Sequence, residues 1–505
     1  MDINLQLRIN QGIELANKKD YGAAIKIFKD CAKVGYDSWV QLNLANCLIK
    51  TFDDFEAARV LTEIINTEDR NTDILLKASH LAQVIYRFDL SLKACSKAYD
   101  IKPHSADIIA QLILMKNEAR DSSRVEVLCK EMIGLVPNSG WPYNQIGIYY
   151  NSVGSFDKAF DAYSKAIELE PNLSFAIAGI VKSKKFDQMP LELIKTIDTA
   201  LSQLKTPEEK ARVLFAKSKI FNDLGMYEDA WTSANSANQL KARLSPFSKE
   251  NHNNYVQQLI DYNKPESLSK SDNNSAPIWI VGMPRSGTTL IEQVLSGITD
   301  LYPGGETPAI DYALYSQFHG GSYLTAPLER KQLNSMATQY DSFFKRFANF
   351  QGNRVIDKVP FNFYHIGLFK QLFPQGKVIN FSRNRYDIAT SIFFENFSLM
   401  QNYTHSISDI LSVYEGYTKL MDYWTNLYPE SVLTIEYSDF VSNNAECIDK
   451  IYEFLNLEIN HRVDHKLSQN HIETPSIWQA RQSLYKTSIE RWKRYPQMVD
   501  IVNSL

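Results

Sequence analysis

Three prolines, Pro103, Pro137 and Pro171, fall 34 residues apart in the first half of the chain. No other feature of the 505-residue sequence constrains the fold as strongly. A recurrent helix-ending residue at this spacing, with apolar residues at helical period between, calls for a stack of helix pairs that bury a core only against their neighbours. The clearest unit is GWPYNQIGIYYNSVGSFDKAFDAYSKAIELEP, residues 140–171. Tyr143, Ile146, Gly147, Tyr150, Ala159, Tyr163, Ala166 and Pro171 alternate large, small and helix-ending residues. Two antiparallel helices touch through the small ones while the large ones fill toward the next unit.

This unit resembles the tetratricopeptide repeat. Weaker copies begin near residues 5, 38, 72, 106 and 211, their second helices marked by Ala24 with Phe28, Ala57 with Leu61, and Ala230 with Ala237. Residues 173–210 depart from the pattern. The resemblance implies a superhelix over residues 1–263 whose concave face holds a peptide or protein partner; the alternative is a structural prop for the second half of the chain. Residues 264–277, KPESLSKSDNNSAP, are polar and without apolar period, and mark a linker.

The remainder, 278–505, reads as α/β. PIWIVG is a continuous apolar run suited to a central parallel strand buried on both faces. Further strands are expected at 354–359, 377–383 and 432–438, separated by helical patterns near 361–373, 386–397 and 408–427. Such alternation predicts a parallel sheet in a three-layer α/β/α domain with ligands at the strands' carboxyl ends.

The loop after the first strand, GMPRSGTT, has the spacing of a nucleotide P-loop. Gly282 and Gly287 let the backbone curl so that N–H groups point inward, and a following helix N-terminus with Thr288 and Thr289 adds donors. Yet Thr288 stands where a P-loop NTPase has its lysine. VINFSRN ends its strand in Ser382 and Arg383 where an acidic, magnesium-holding residue is expected. A kinase or ATPase reading is disfavoured. The residues fit a nucleotide whose transferred group is not phosphate and whose chemistry needs no metal.

PRSGTT, DKVPFN and a strand ending in arginine together resemble the sulfotransferases that use 3′-phosphoadenylyl sulfate (PAPS). Residues 277 to about 492 resemble the tyrosylprotein branch and its repeat-bearing bacterial relatives. The resemblance implies that Pro284, Arg285, Ser286, Gly287, Thr288 and Thr289 cradle the 5′-phosphate, and that Arg383 and Ser391 bind the 3′-phosphate. Glu306, twenty-one residues after Arg285, matches the general base. Lys358 matches the lysine that stabilises the leaving phosphate; with Arg285 these form the implied catalytic set. EYSDF resembles the family's segment with a cofactor-contacting tyrosine, here Tyr437. In the segment resembling the one that closes over the nucleotide, Ser476 and Arg491 fall where the branch has a serine and a lysine, and Tyr485 and Lys486 are local contacts implied for the bacterial form. The implied activity is in-line sulfuryl transfer to an acceptor hydroxyl, a protein or peptide tyrosine in the branch resembled. A carbohydrate, lipid or small-metabolite acceptor, or a repeat scaffold with an inactive second domain, are the alternatives.

Several features carry less. His319 and His365 are available as the histidine base of small-molecule sulfotransferases, but His365 lies on an apolar helical pattern. HRVDHKLSQNH, 461–471, has no zinc spacing. FFENF, 393–397, reads as helix packing rather than an acceptor groove. A net charge of −4 argues against nucleic acid or an anionic membrane as partner. No apolar run has the length of a membrane span, the N-terminal segment lacks a signal-peptide core, and the five scattered cysteines read as reduced thiols, so a cytoplasmic location is expected.

Overall fold

A computed structural model of the chain describes residues 3–504 apart from 36, 52, 69, 120, 265–267, 299, 348–349, 351–353 and 458–488. It divides into two compact units. The first comprises Met1–Asn138 with the inserted segments Ile310–Gly321 and Gln339–Phe350. Four of its helices begin where a short acceptor side chain caps them. Asp20 accepts from Ala23 N–H, Asp37 from Trp39 and Val40, Asp53 from Glu56, and Asn71 from Asp73 and Ile74. Each bond satisfies donors that a helix start leaves orphaned. Ala24, Phe28, Ala57 and Leu61, expected to mark second helices, are wholly buried. In the inserted segments Tyr312 and Phe343 pack with Tyr86 at ring separations of 6.0 and 5.8 Å.

The second unit comprises Ser139–Ala309, Ser322–Thr338 and Gln351–Leu505. Its helical part opens with Trp141–Ser152 and Phe156–Leu169, the clear repeat. The off-pattern stretch holds two helices, Ser174–Lys182 and Leu191–Gln203. The next helix, Pro207–Asp223, starts at a capping box in which Thr206 accepts from Glu209 N–H and donates to its carboxylate, with proline at the first position.

Tyr163 shows why the repeat needs its small residues. A Cβ on Gly147 would lie 2.7 Å from the Tyr163 ring, and one on Gly179, in the next helix pair, 2.4 Å. The ring is sandwiched between two backbones and is itself buried. Gly179→Ala is therefore expected to cost about 1–3 kcal/mol through overpacking, measured as a lowered midpoint in urea. An unchanged midpoint would mean that the two helix pairs slide apart freely.

Strands β1 (Ile278–Val281), β2 (Leu301–Pro303), β3 (Arg354–Asp357), β4 (Lys377–Ser382) and β5 (Val432–Glu436) form one sheet in the order β2-β3-β1-β4-β5. Every pairing is parallel. All four residues of β1 are buried, as its apolar run requires. One face packs Ile291, Val294, Leu295, Phe440 and Ile451 in a common core; Trp279 stacks on Phe369 with ring centres 4.1 Å apart. With β1 flanked by β3 on one side and β4 on the other, the chain reverses its direction of progress across the sheet at β1, which opens a crevice at the strands' carboxyl ends. The polar stretch at 264–277 lies in this unit, where Ser271 donates to the carbonyls of Gln371 and Leu372.

Candidate active site

The loop leaving β1 begins with Gly282 at φ 154°, where a Cβ would lie 2.4 Å from the Phe381 carbonyl oxygen. It ends with Gly287 at φ 112°, where a Cβ would meet the Phe381 ring at 2.7 Å and the Tyr437 ring at 2.9 Å. Only glycine fits either place. Between them Arg285 takes a left-handed conformation, φ 68°, at a cost of about 1–3 kcal/mol. The helix Thr288–Leu295 begins immediately after Gly287.

Two elements of the β4 side hold the loop's crown. Arg285 Nε donates to Ser391 Oγ at 3.1 Å, and Arg383 Nη1 donates to the Arg285 carbonyl at 3.2 Å. Arg383 lies over the Tyr437 ring at 4.7 Å, and its carbonyl accepts from the Tyr414 hydroxyl at 3.0 Å. Burial lowers the pKa of Arg383, with Arg285 and Arg491 adding positive charge beside it and Asp387 and Tyr437 opposing them. A buried arginine in the field of two more is an anion site with strong electrostatic demand. Inside the loop, the Ser286 hydroxyl is wholly buried and has no hydrogen-bond partner among the described residues. A buried hydroxyl of that kind fits a ligand oxygen.

On the other side of β1, the carboxyl ends of β2 and β3 are stitched together. Gly304 N–H donates to the Ile356 carbonyl at 2.7 Å and Lys358 N–H to the Gly305 carbonyl at 3.0 Å. This brings Lys358 to Glu306, Nζ to Oε1 2.5 Å. Lys358 is fully buried, whereas the Glu306 side chain is 44% exposed. Glu292, one helical turn beyond Thr288, accepts from Gly305 N–H at 2.8 Å and lies 3.9 Å from the Lys358 ammonium. Two carboxylates thus share one buried lysine, the compensation that a buried charge needs. β3 itself ends in Asp357, wholly buried and accepting from Asn362 at 3.3 Å.

The C-terminal turn Arg491–Arg494 docks on the helix Arg385–Phe393. The Asp387 carboxylate accepts from Glu490 N–H at 2.9 Å and Trp492 N–H at 3.3 Å. Arg491 donates to the Tyr495 hydroxyl at 3.1 Å. FFENF packs: Phe393 stacks on Trp231 at 4.6 Å, and Phe394 lies tilted against Tyr495 at 4.6 Å. Its Glu395 pairs with Lys182 at 3.2 Å. Burial would raise that carboxyl's pKa, but the charges of Lys182 and Arg285 hold it below the ordinary value.

The structure therefore gathers Arg285, Ser286, Gly287, Arg383, Ser391, Tyr437 and Arg491 at one end of the crevice, with Pro284, Thr288 and Thr289 in the same loop and helix start. Glu306 and Lys358 meet at the other. Ser476, Tyr485, Lys486 and the 461–471 histidines lie outside the described residues. His365 packs near Tyr323, ring centres 6.3 Å apart, and His319 belongs to the first unit. Sequence reasoning missed Glu292, although its four-residue spacing from Thr288 puts both on one helix face. It also missed Asp387, four residues beyond Arg383.

Residues 277–461 match the model of the sulfotransferase family, and residues 142–173 that of the tetratricopeptide repeat. Over 364 residues the chain is 27% identical to an uncharacterized protein of Aquifex aeolicus (strain VF5), covering 68% of this chain and 47% of that one. The chain thus spans about half the length of this curated relative. Among solved structures it is similar to the sulfotransferase domain from the Synechococcus PCC 7002 olefin synthase, at 17% identity and a TM-score of 0.34, covering 47% of this chain and 98% of that one. It is also similar to a tetratricopeptide repeat protein from Parabacteroides merdae, at 14% identity and a TM-score of 0.35, covering 49% and 94%. A helical tetratricopeptide-like region is followed by a parallel-sheet α/β sulfotransferase domain. The family match lies within the α/β part of the chain, at residues 277–461. Among the described residues no helix is long and apolar enough to cross a membrane.

Proposed function

We propose that the chain transfers a sulfuryl group from 3′-phosphoadenylyl sulfate to an acceptor hydroxyl, a phenolic one such as a peptide tyrosine. The observation that carries the reading is the grouping of Arg383, Arg285 and Arg491 around a loop whose buried Ser286 hydroxyl has no partner among the described residues. An ATP site would need a lysine in the loop, where Thr288 stands, and a carboxylate open to magnesium. Asp357, the acidic strand end beside β1, is wholly buried on Asn362. A bisphosphorylated nucleoside instead matches the surplus of guanidinium groups.

In this reading the nucleotide supplies an activated sulfuryl group. The loop 282–289 binds its 5′-phosphate through backbone N–H groups, Ser286 and the helix start. Arg383 and Ser391 take the 3′-phosphate, with Tyr437 beneath Arg383. Lys358, buried at the end of β3, places a positive charge where the leaving phosphate gains negative charge. Glu306, the exposed member of the pair, takes the proton from the acceptor hydroxyl. Glu292 keeps a carboxylate beside Lys358 when Glu306 turns outward. The helical repeats hold the acceptor or a protein partner on their concave face, and the chain works in the cytoplasm. The domain boundaries adopted are 1–263, 264–277 and 278–505.

Calorimetric titration of the whole chain with 3′,5′-adenosine bisphosphate, 5′-AMP and ATP with magnesium tests the site. The bisphosphate is expected to bind at least about tenfold more tightly than 5′-AMP, each good charged contact being worth about 1.5–3 kcal/mol. Preference for ATP with magnesium would replace this reading with a kinase. A folded protein binding none of the three would favour the alternative of a repeat scaffold with an inactive second domain.

A further inference from the structure

We infer that the repeat helix Pro207–Asp223 is a wall of the nucleotide site, with Asn222 the positioning residue that orients Arg491 toward the 3′-phosphate. The inference rests on the function proposed above and adds to it a part for the repeats within the catalytic site.

Asn222 sits in the last turn of that helix. Its side-chain oxygen accepts from Arg491 Nη2 at 3.4 Å and from the Tyr495 hydroxyl. Arg491 Nη2 donates to that same hydroxyl at 3.1 Å, closing a triangle of three polar groups. Tyr495 is fully buried. Its ring is held by Phe394 at 4.6 Å and by Tyr227 at 5.3 Å, the latter from the next repeat helix, Tyr227–Leu244. Arg491 lies over the Phe394 and Tyr495 rings at 5.8 and 5.9 Å. A guanidinium held by one nitrogen and two ring faces has few rotamers left. Fixing an arginine before the anion arrives lowers the ordering cost of binding.

A second link of the same kind supports it. Lys182, at the end of the repeat helix Ser174–Lys182, pairs with Glu395 at 3.2 Å, and the charge of Glu395 faces Arg285. In the repeat helix Tyr227–Leu244, Lys241 donates to Asn396 at 2.8 Å and to the Phe397 carbonyl, and Asn238 donates to the Phe393 carbonyl at 2.8 Å. The segment 393–397, just beyond Ser391, is thus seated on repeat side chains. Repeats used only as a detachable adaptor would have no reason to supply polar contacts here.

The test compares the full-length chain with Asn222→Ala and the isosteric Asn222→Leu by calorimetry against 3′,5′-adenosine bisphosphate and 5′-AMP, with thermal unfolding to confirm the fold. Loss of one orienting acceptor is expected to weaken the bisphosphate about tenfold and to leave 5′-AMP unchanged, so the preference for the 3′-phosphate shrinks. Equal weakening of both nucleotides would reveal a structural role only, and unchanged bisphosphate binding would remove Asn222 from the site; either overturns the inference while the proposed function stands. If one variant does not fold, the other gives the same comparison. A wild-type chain that does not bind the bisphosphate overturns the function and this inference together.

Discussion

Arg383→Ala is expected to weaken 3′,5′-adenosine bisphosphate by at least about 30-fold, since truncating one partner of a buried charge pair costs about 2–5 kcal/mol. The arginine is buried, stacked over Tyr437 and tied by one N–H to the Arg285 carbonyl. Burial opposes its charge, while Asp387 and Tyr437 favour it against Arg285 and Arg491. An arriving anion supplies a further counter-charge to this buried guanidinium. The ligand-free variant is expected to unfold somewhat earlier than the wild type, because the truncation removes a donor to the Arg285 carbonyl and the packing over Tyr437. Arg383→Lys should recover only part of the affinity, its ammonium lacking the planar fork. Calorimetry with a parallel thermal melt reads both. Bisphosphate affinity equal to wild type would move the 3′-phosphate elsewhere.

The second large effect concerns Glu306. Glu306→Gln is expected to slow transfer to a phenolic acceptor such as p-cresol by about 10²–10⁴-fold, measured as release of the bisphosphate from 3′-phosphoadenylyl sulfate. Bisphosphate binding should change by less than about threefold, because Glu306 stands at the β2–β3 side of the crevice and contacts Lys358, not the arginines. Glutamine keeps a carbonyl for the Lys358 ammonium but cannot accept a proton at neutral pH. A variant that turned over at the wild-type rate would show that another group is the base. The close Glu306–Lys358 contact also explains how a buried lysine is tolerated: with Glu292 3.9 Å away, its charge has two partners, and one can leave.

The range of each interaction decides whether the sequence reveals or conceals it. The β1 run, the loop glycines and the strand at 377–383 were legible because each is set by neighbours in the chain. Strand β4 ends at Ser382 and β3 at Asp357, a residue or two inside the expected bounds. Strand β2 went unread because three residues ending in proline carry no period; proline is admitted at the sheet edge, where its missing N–H is not needed. The helix expected near 386–397 stops at Phe393, and Glu395 and Phe397 turn to repeat residues instead. Those partners are 213 and 156 residues away, and Asn222 is 269 from Arg491. No local pattern announces a contact of that span. The inserted segments Ile310–Gly321 and Gln339–Phe350, which fold with the first unit, were hidden for the same reason.

The strand order β2-β3-β1-β4-β5 separates two kinds of work. Residues proposed to break and make bonds hang from strands on one flank of β1, and those proposed to identify the donor hang from the other. The loop between them is the backbone common to both. On the proposed reading, substitutions on the first flank would change the acceptor without disturbing the flank that tells one nucleotide from another. A chain built this way keeps its currency fixed while its customers change.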